Sequence, residues 1–214
     1  DAQESRGLGD VYKRQMHTVL QSYLTTFYEK SIKEAESLPL ELMLKNEMIK
    51  EFTIIRKRFN VDVCNQKDLT EFYEDGVEII KGFKKDRAKY FMKKNYELVG
   101  IELPIFTKLQ DGVQFRSYLD VVIRNKINDN IKIIDLKTST RSWSHFQKKD
   151  FYKTSQLVLY KQFYADKFDV PLDKISVEFL ILKRKVAKKS DWPISLSLIH
   201  ISEPTRLLSI SYAV

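Results

Sequence analysis

An α/β fold is predicted, with a mixed central β-sheet flanked by helices and a mainly helical N-terminal half. Three observations predict it. Apolar residues recur every three or four positions up to about Phe91, then alternate with polar ones from Tyr96, and return to helical spacing at Asp150 before a β-branched run. Two turn signals, Gln110-Asp111-Gly112 and Asn128-Asp129-Asn130, interrupt the alternating stretch where hairpins would need them.

From His17 to about Ala35, the residues Val19, Leu20, Tyr23, Leu24, Phe27 and Ile32 mark one apolar face and predict a first amphipathic helix. Leu38 to Phe59 repeats the pattern after Pro39, and a third long pattern without internal proline runs from Asp68 to Phe91. Tyr96 to Phe106 and Val113 to Arg124 read as paired strands, and Ile131 to Leu136 as a third strand in a second hairpin. Asp150 to Phe168 predicts a helix, and Ile175 to Leu182 suits a buried strand.

The chain has 214 residues, with 37 Lys plus Arg against 29 Asp plus Glu. The resulting charge of +8 attracts polyanions, so nucleic acid is the first partner to consider, although Lys-rich proteins without such a partner carry similar excesses. One cysteine, Cys64, can build neither an internal disulfide nor a multi-thiolate metal site, and it fits a reducing, cytoplasmic setting. No long apolar run or basic-then-apolar leader is present, so neither a membrane span nor secretion is expected.

Residues 1–15 and 195–214 differ in character from the Lys- and Ile-rich middle. Both resemble translated sequencing-adapter read-through, nearly verbatim in the stretches Gly7 to Gln15 and Leu198 to Arg206, and both are expected to be non-native. The expected domain is then residues 16–194, truncated at both ends. Those ends hold as many acids as bases, so the basic excess belongs to the middle.

The informative stretch is Ser117-Tyr118-Leu119-Asp120 at the end of one strand and Ile133 to Thr138 at the end of the next. Side chains at i and i+2 of a strand share a face, so Asp135 and Lys137 point the same way, and a hairpin brings Asp120 beside them. Phosphodiester hydrolysis needs hard oxygen ligands for Mg²⁺ or Mn²⁺, which Asp120 and Asp135 supply, and a cation such as Lys137 to position water or stabilise developing charge. Taken alone, Asp-x-Lys is a weak pattern that a solvated strand end also explains.

In the order of its elements this stretch resembles the PD-(D/E)xK nuclease superfamily, in its RecB-like exonuclease branch. The downstream helix carries Gln156 and Tyr160 at QxxxY spacing, one above the other on a helical face; Val99 to Glu102 looks like the first acidic strand, and Met16 to Leu20 like the histidine helix. The resemblance implies a restriction-endonuclease-like core. It makes Asp120, Asp135, Lys137, Gln156, Tyr160 and Glu102 catalytic, and places the metal on His17, Asp120, Asp135 and Leu136. Ser117 stands where the family usually has glycine. The expected activity is Mg²⁺- or Mn²⁺-dependent hydrolysis of DNA, as an exonuclease of repair, recombination or phage metabolism in a bacterial or phage-infected cytoplasm, with a helicase or recombination subunit as a possible partner. The alternative is a non-catalytic nucleic-acid-binding module on the same fold.

The loop after Lys137 holds Arg141, Trp143, Lys148 and Lys149, a mixture able to grip a phosphate backbone and stack a base, while a Trp anchoring its loop to the core is the plainer reading. Lys183-Arg184-Lys185 and Lys188-Lys189 form a second basic run that a solvated strand exit explains equally well.

Overall fold

The structure, a computed structural model, describes residues 2–60, 65–109, 112–140, 143, 144, 146, 150–185 and 194–198. The chain divides into two compact units. One comprises Asp1–Met92, Lys137–Arg141 and Leu182–Ser195, and the other Lys93–Leu136, Ser142–Ile181 and Leu196–Val214.

In the first unit the N-terminal half is helical: α1 is Ala2–Glu29, α2 Ile32–Ser37, α3 Leu40–Phe59 and α4 Gln66–Tyr90. The single first helix expected to reach Ala35 is instead broken before Ser31. The Ser31 hydroxyl accepts from the Glu34 N–H at 3.1 Å and donates to the Glu34 carboxylate at 2.8 Å, so Ser31 caps a new helix there. Asn65 caps α4 by accepting from the Asp68 N–H at 2.9 Å, and Asn60 ends α3 in the left-handed conformation, φ 51°.

The apolar stripe of α1 is the centre of this unit. Met16, Val19, Leu20, Tyr23, Leu24 and Phe27 are buried with Leu40 and Leu44 of α3 and Ile79, Ile80 and Phe83 of α4. Tyr23 meets Phe83 edge-on at 5.5 Å, and Tyr12 meets Phe72 at 5.2 Å. Tyr12 lies inside the segment read as foreign, yet it is only 1% exposed and packs as a core residue. Gly76 permits the close approach of α4, since a Cβ there would run into Leu44 Cδ2 and press on Met16 and Tyr12. At the edge of the core the Tyr23 hydroxyl donates to Glu36 at 2.6 Å and accepts from Arg87 at 2.7 Å, while Arg87 also pairs with Glu36.

The sheet has strand order β1-β2-β3-β4-β5, with β1 Tyr96–Lys108, β2 Gln114–Asn125, β3 Ile131–Ser139, β4 Ile175–Lys183 and β5 Ile194–Leu198. β1 and β2 pair antiparallel, as do β2 and β3, which are the two hairpins the turn signals predict. β4 runs parallel to β3: Ser176 bonds the Ile131 carbonyl and the Arg184 N–H bonds the Ser139 carbonyl, so residue numbers rise together along both strands. The sheet is therefore mixed. The crossover is α5, Phe151–Phe168, capped by Asp150, whose carboxylate accepts from the Tyr152 N–H at 3.0 Å.

Within the second unit, Leu157, Tyr160, Phe163 and Tyr164 of α5 form one core with Ile105, Leu119, Val122, Ile131, Ile133, Val177 and Phe179 of the strands. The near part of β2 uses alternate residues for this core, with Phe115 tilted on Phe163 at 4.4 Å and Leu119 following. The next member is Val122, three positions on, so strict alternation breaks between Leu119 and Val122. Directly opposite this break, Glu102 of β1 holds φ 48°.

Candidate active site

The β1–β2 register runs through Ile101↔Val121 and Leu103↔Leu119, which sets Glu102 opposite Asp120. On the other side of β2 the ladder runs from Arg124↔Ile131 to Val121↔Ile134, and Asp135 follows Ile134 on β3. Three adjacent strands thus each carry an acid, with Glu102 and Asp120 in one row. A carboxylate oxygen of Glu102 and one of Asp120 lie within 4.8 Å of each other. The Asp120 carboxylate is also tied to β3, since its Oδ2 accepts from the Leu136 N–H at 2.7 Å. That bond stands where a regular ladder bond would continue, so the acid replaces the backbone as partner at the point where the strands leave their pairing.

The three acids sit in different surroundings. Glu102 is exposed, Asp120 half-buried and Asp135 only 3% exposed, with Leu136 beside it fully buried. The left-handed backbone of Glu102 is costly for a residue with a Cβ, of order 1–3 kcal/mol, and such strain persists where the surrounding structure holds it. Lys137, half-buried, follows Asp135 by two positions on β3 and so leaves the strand on the same side.

Helix α5 supplies the next group. Gln156 Nε2 donates to the Tyr160 hydroxyl at 2.5 Å, one helical turn along. Tyr160 also hydrogen-bonds Ser117 of β2. Its phenol is pushed above the ordinary value first by burial and also by the negative charge of Asp135 and Asp120, so it stays protonated at neutral pH. The serine that departs from the family pattern therefore has a role in this geometry: its hydroxyl joins β2 to the Gln156-Tyr160 pair. His17, on α1 of the first unit, is buried at 9% exposure.

The expected nucleic-acid residues divide. Trp143 packs on the α5 core, edge-on to Phe179 at 5.0 Å, with Lys153 Nζ 5.4 Å from its ring centre. Arg141, Lys148 and Lys149 lie outside the described residues, as does Lys188-Lys189. In the run Lys183-Arg184-Lys185, Lys183 is buried, Arg184 is partly buried and Lys185 is exposed, and the last two are tied to α4 of the first unit. Arg184 lies 3.8 Å over the Phe72 ring and 3.3 Å from Asp75, and Lys185 bridges Glu71 at 2.7 Å and Asp75 at 3.2 Å.

A mixed sheet with the carboxylates of Glu102 and Asp120 brought together beside a buried tyrosine defines an α/β protein with a candidate divalent-cation site; the acids stand within their strands and not at the strand ends that the sequence led us to expect. The family model of the PD-(D/E)XK nuclease superfamily matches residues 9–201, and the chain belongs to that superfamily of metal-dependent phosphodiester hydrolases. Among curated proteins, none matches the chain. The donors fit such a cation: two ligands of an octahedral Mg²⁺ at about 2.1 Å lie at most about 4.2 Å apart, Glu102 and Asp120 bring carboxylate oxygens within 4.8 Å of each other, and both are hard oxygen donors. Among the described residues no helix is long and apolar enough to cross a membrane.

Proposed function

We propose that the chain is a DNA nuclease of the RecB-like branch, an exonuclease of repair, recombination or phage DNA metabolism that works with Mg²⁺ or Mn²⁺. The observation that supports this most is the Asp120 carboxylate, near Glu102 on one side and hydrogen-bonded to the Leu136 N–H on the other. Asp120 and Asp135 would hold the ion, with His17 and Leu136 as the further ligands that family membership suggests and Glu102 as a supporting acid. The ion, when bound, polarises the scissile phosphate and makes its water more acidic.

The residues of the chain do the rest. Lys137 orients the attacking water or stabilises charge on the phosphate as the bond breaks. Tyr160, kept protonated, and Gln156 hold the α5 side of the site in place through the Ser117 bond. Arg141, Trp143, Lys148 and Lys149 are proposed to hold the strand.

The test is Asp135→Ala in the full chain. Cleavage of single-stranded, double-stranded and branched DNA with Mn²⁺ should vanish, while DNA binding measured in EDTA should hold or tighten slightly, because one negative charge has been removed near the phosphates. A folded wild-type chain that binds DNA and cleaves none of these substrates would make it a binding module on a nuclease fold.

A further inference from the structure

The exposed face of the β1–β2 ribbon carries groups that neither the fold nor the acid row requires. Lys108, Phe106 and Pro104 alternate outward along β1, and their cross-strand neighbours are Gln114, Arg116 and Tyr118 of β2. Phe106 is 51% and Tyr118 53% exposed, and the two rings meet edge-on at 5.6 Å. The Arg116 guanidinium lies 6.0 Å from the Phe106 ring centre and is steadied by Gln114, which accepts from it at 2.7 and 3.1 Å. Further along the same two strands Glu102 stands opposite Asp120, where the alternation breaks.

We propose that this face is a stacking platform for the unpaired bases of a DNA strand whose phosphate reaches the acid row. The inference rests on the nuclease reading and deepens it by naming a strand with unstacked bases as the substrate. Two residues of strand advance about 6.8 Å, so Tyr118 lies about 7 Å and Phe106 about 14 Å from the Glu102–Asp120 row. Rings at those distances can take successive bases on the way to the acids. Duplex DNA hides its base faces, whereas a frayed or single strand offers them, and stacking on Phe and Tyr tolerates any sequence. Arg116 and Lys108 supply the positive charge a phosphate backbone needs beside the rings. A cross-strand aromatic pair can also serve only to hold a hairpin together, but such a pair would not discriminate a base from a missing base.

The experiment compares binding of the full chain, in EDTA, to an oligothymidylate and to an abasic strand of equal length by fluorescence anisotropy. The wild type should prefer the base-bearing strand by about tenfold or more. Phe106→Leu with Tyr118→Leu should bind both strands alike, at the abasic level. Tyr118→Phe, which keeps the ring, should keep the preference, and Tyr118→Leu alone should lose about tenfold on the base-bearing strand only. Arg116→Gln should weaken both strands equally. Absence of a base preference in the wild type, its persistence in the double Leu variant, or equal loss on both strands in Tyr118→Leu or the double Leu variant with unchanged melting would overturn the platform. Mn²⁺-dependent cleavage by the wild type is read separately. A chain that cleaves without base preference loses only the platform, and one with a ring-dependent preference that never cleaves loses only the nuclease.

Discussion

The Asp120 carboxylate accepts the Leu136 backbone N–H at 2.7 Å, and this one bond joins the acid of β2 to the strand that carries Asp135 and Lys137. It separates two roles of Asp120, as acceptor for a buried amide and as a charge. Asp120→Ala leaves the Leu136 N–H without its acceptor and should cost about 1–3 kcal/mol of stability. Asp120→Asn keeps an oxygen acceptor and should melt near the wild type. Both should lose metal-dependent cleavage. Thermal melts and a Mn²⁺ cleavage assay together check this, and an Asn variant as unstable as the Ala variant would place the stabilisation in the charge instead.

The tyrosine on α5 is expected to act through position. Tyr160→Phe removes the hydroxyl that Gln156 and Ser117 share and should slow cleavage about tenfold, with a stability loss of about 1 kcal/mol. Ser117→Gly, which restores the residue usual for the family, should cost less activity than Tyr160→Phe because Gln156 still bonds the phenol. Equal losses in the two variants would show that Ser117 carries most of the positioning.

How far the site was legible in the chain depends on the range of each contact. Alternation from Tyr96 and the Asn128-Asp129-Asn130 turn predict the strands that carry Asp120 and Asp135, because period and turn chemistry are local. The N-cap at Ser31 is equally local and breaks a helix that apolar spacing alone runs through. Other features depend on register. Glutamate gives no signal of a left-handed backbone, so φ 48° at Glu102 and the change of face between Leu119 and Val122 emerge only when β1 and β2 are paired. The same is true of Phe106 and Tyr118, twelve positions apart and adjacent in space. Arg184 and Lys185 look like a solvated exit from β4 until Asp75 and Glu71 of α4 are set against them.

The helical unit should fail in alkali in a defined window. Burial first, and then the bond to Glu36, push the Tyr23 phenol from 10.0 up to about 12, and burial pushes Tyr12 upward as well. A folded pKa above the unfolded one contributes stability in full below about pH 10, and that contribution is lost as pH rises through 12. Tyr23→Phe should therefore be less stable than the wild type at neutral pH and should lose less of its remaining stability between pH 10 and 12. Urea midpoints across that range check it; parallel curves for the two proteins would remove Tyr23 from the account.

Packing around Gly76 offers a double-mutant test. Gly76→Val adds side-chain volume where Leu44, Met16 and Tyr12 already fill the space, and overpacking of this kind costs about 1–3 kcal/mol. Leu44→Ala alone should cost about 2–5 kcal/mol through the cavity it opens. Combined, the two should cost clearly less than their sum, since each relieves the other. Additive melting shifts would mean that α4 moves away from α3 to accept the larger residue.

Lys137 gives the sharpest distinction between turnover and affinity. It follows Asp135 on the same side of β3, and its proposed target is charge that builds on the phosphate as the bond breaks. A group aimed at the transition state should influence rate far more than ground-state binding. Lys137→Ala should slow single-turnover cleavage by roughly a hundred- to a thousandfold, the equivalent of about 2.7 to 4 kcal/mol, while its affinity for DNA in EDTA falls much less. Lys137→Arg keeps the charge but replaces a compact ammonium with a planar fork, so it should recover binding fully and rate only in part. If Lys137→Ala lost affinity and rate by the same factor, the lysine would be a phosphate contact, and the stabilisation of the departing charge would have to come from elsewhere in the site.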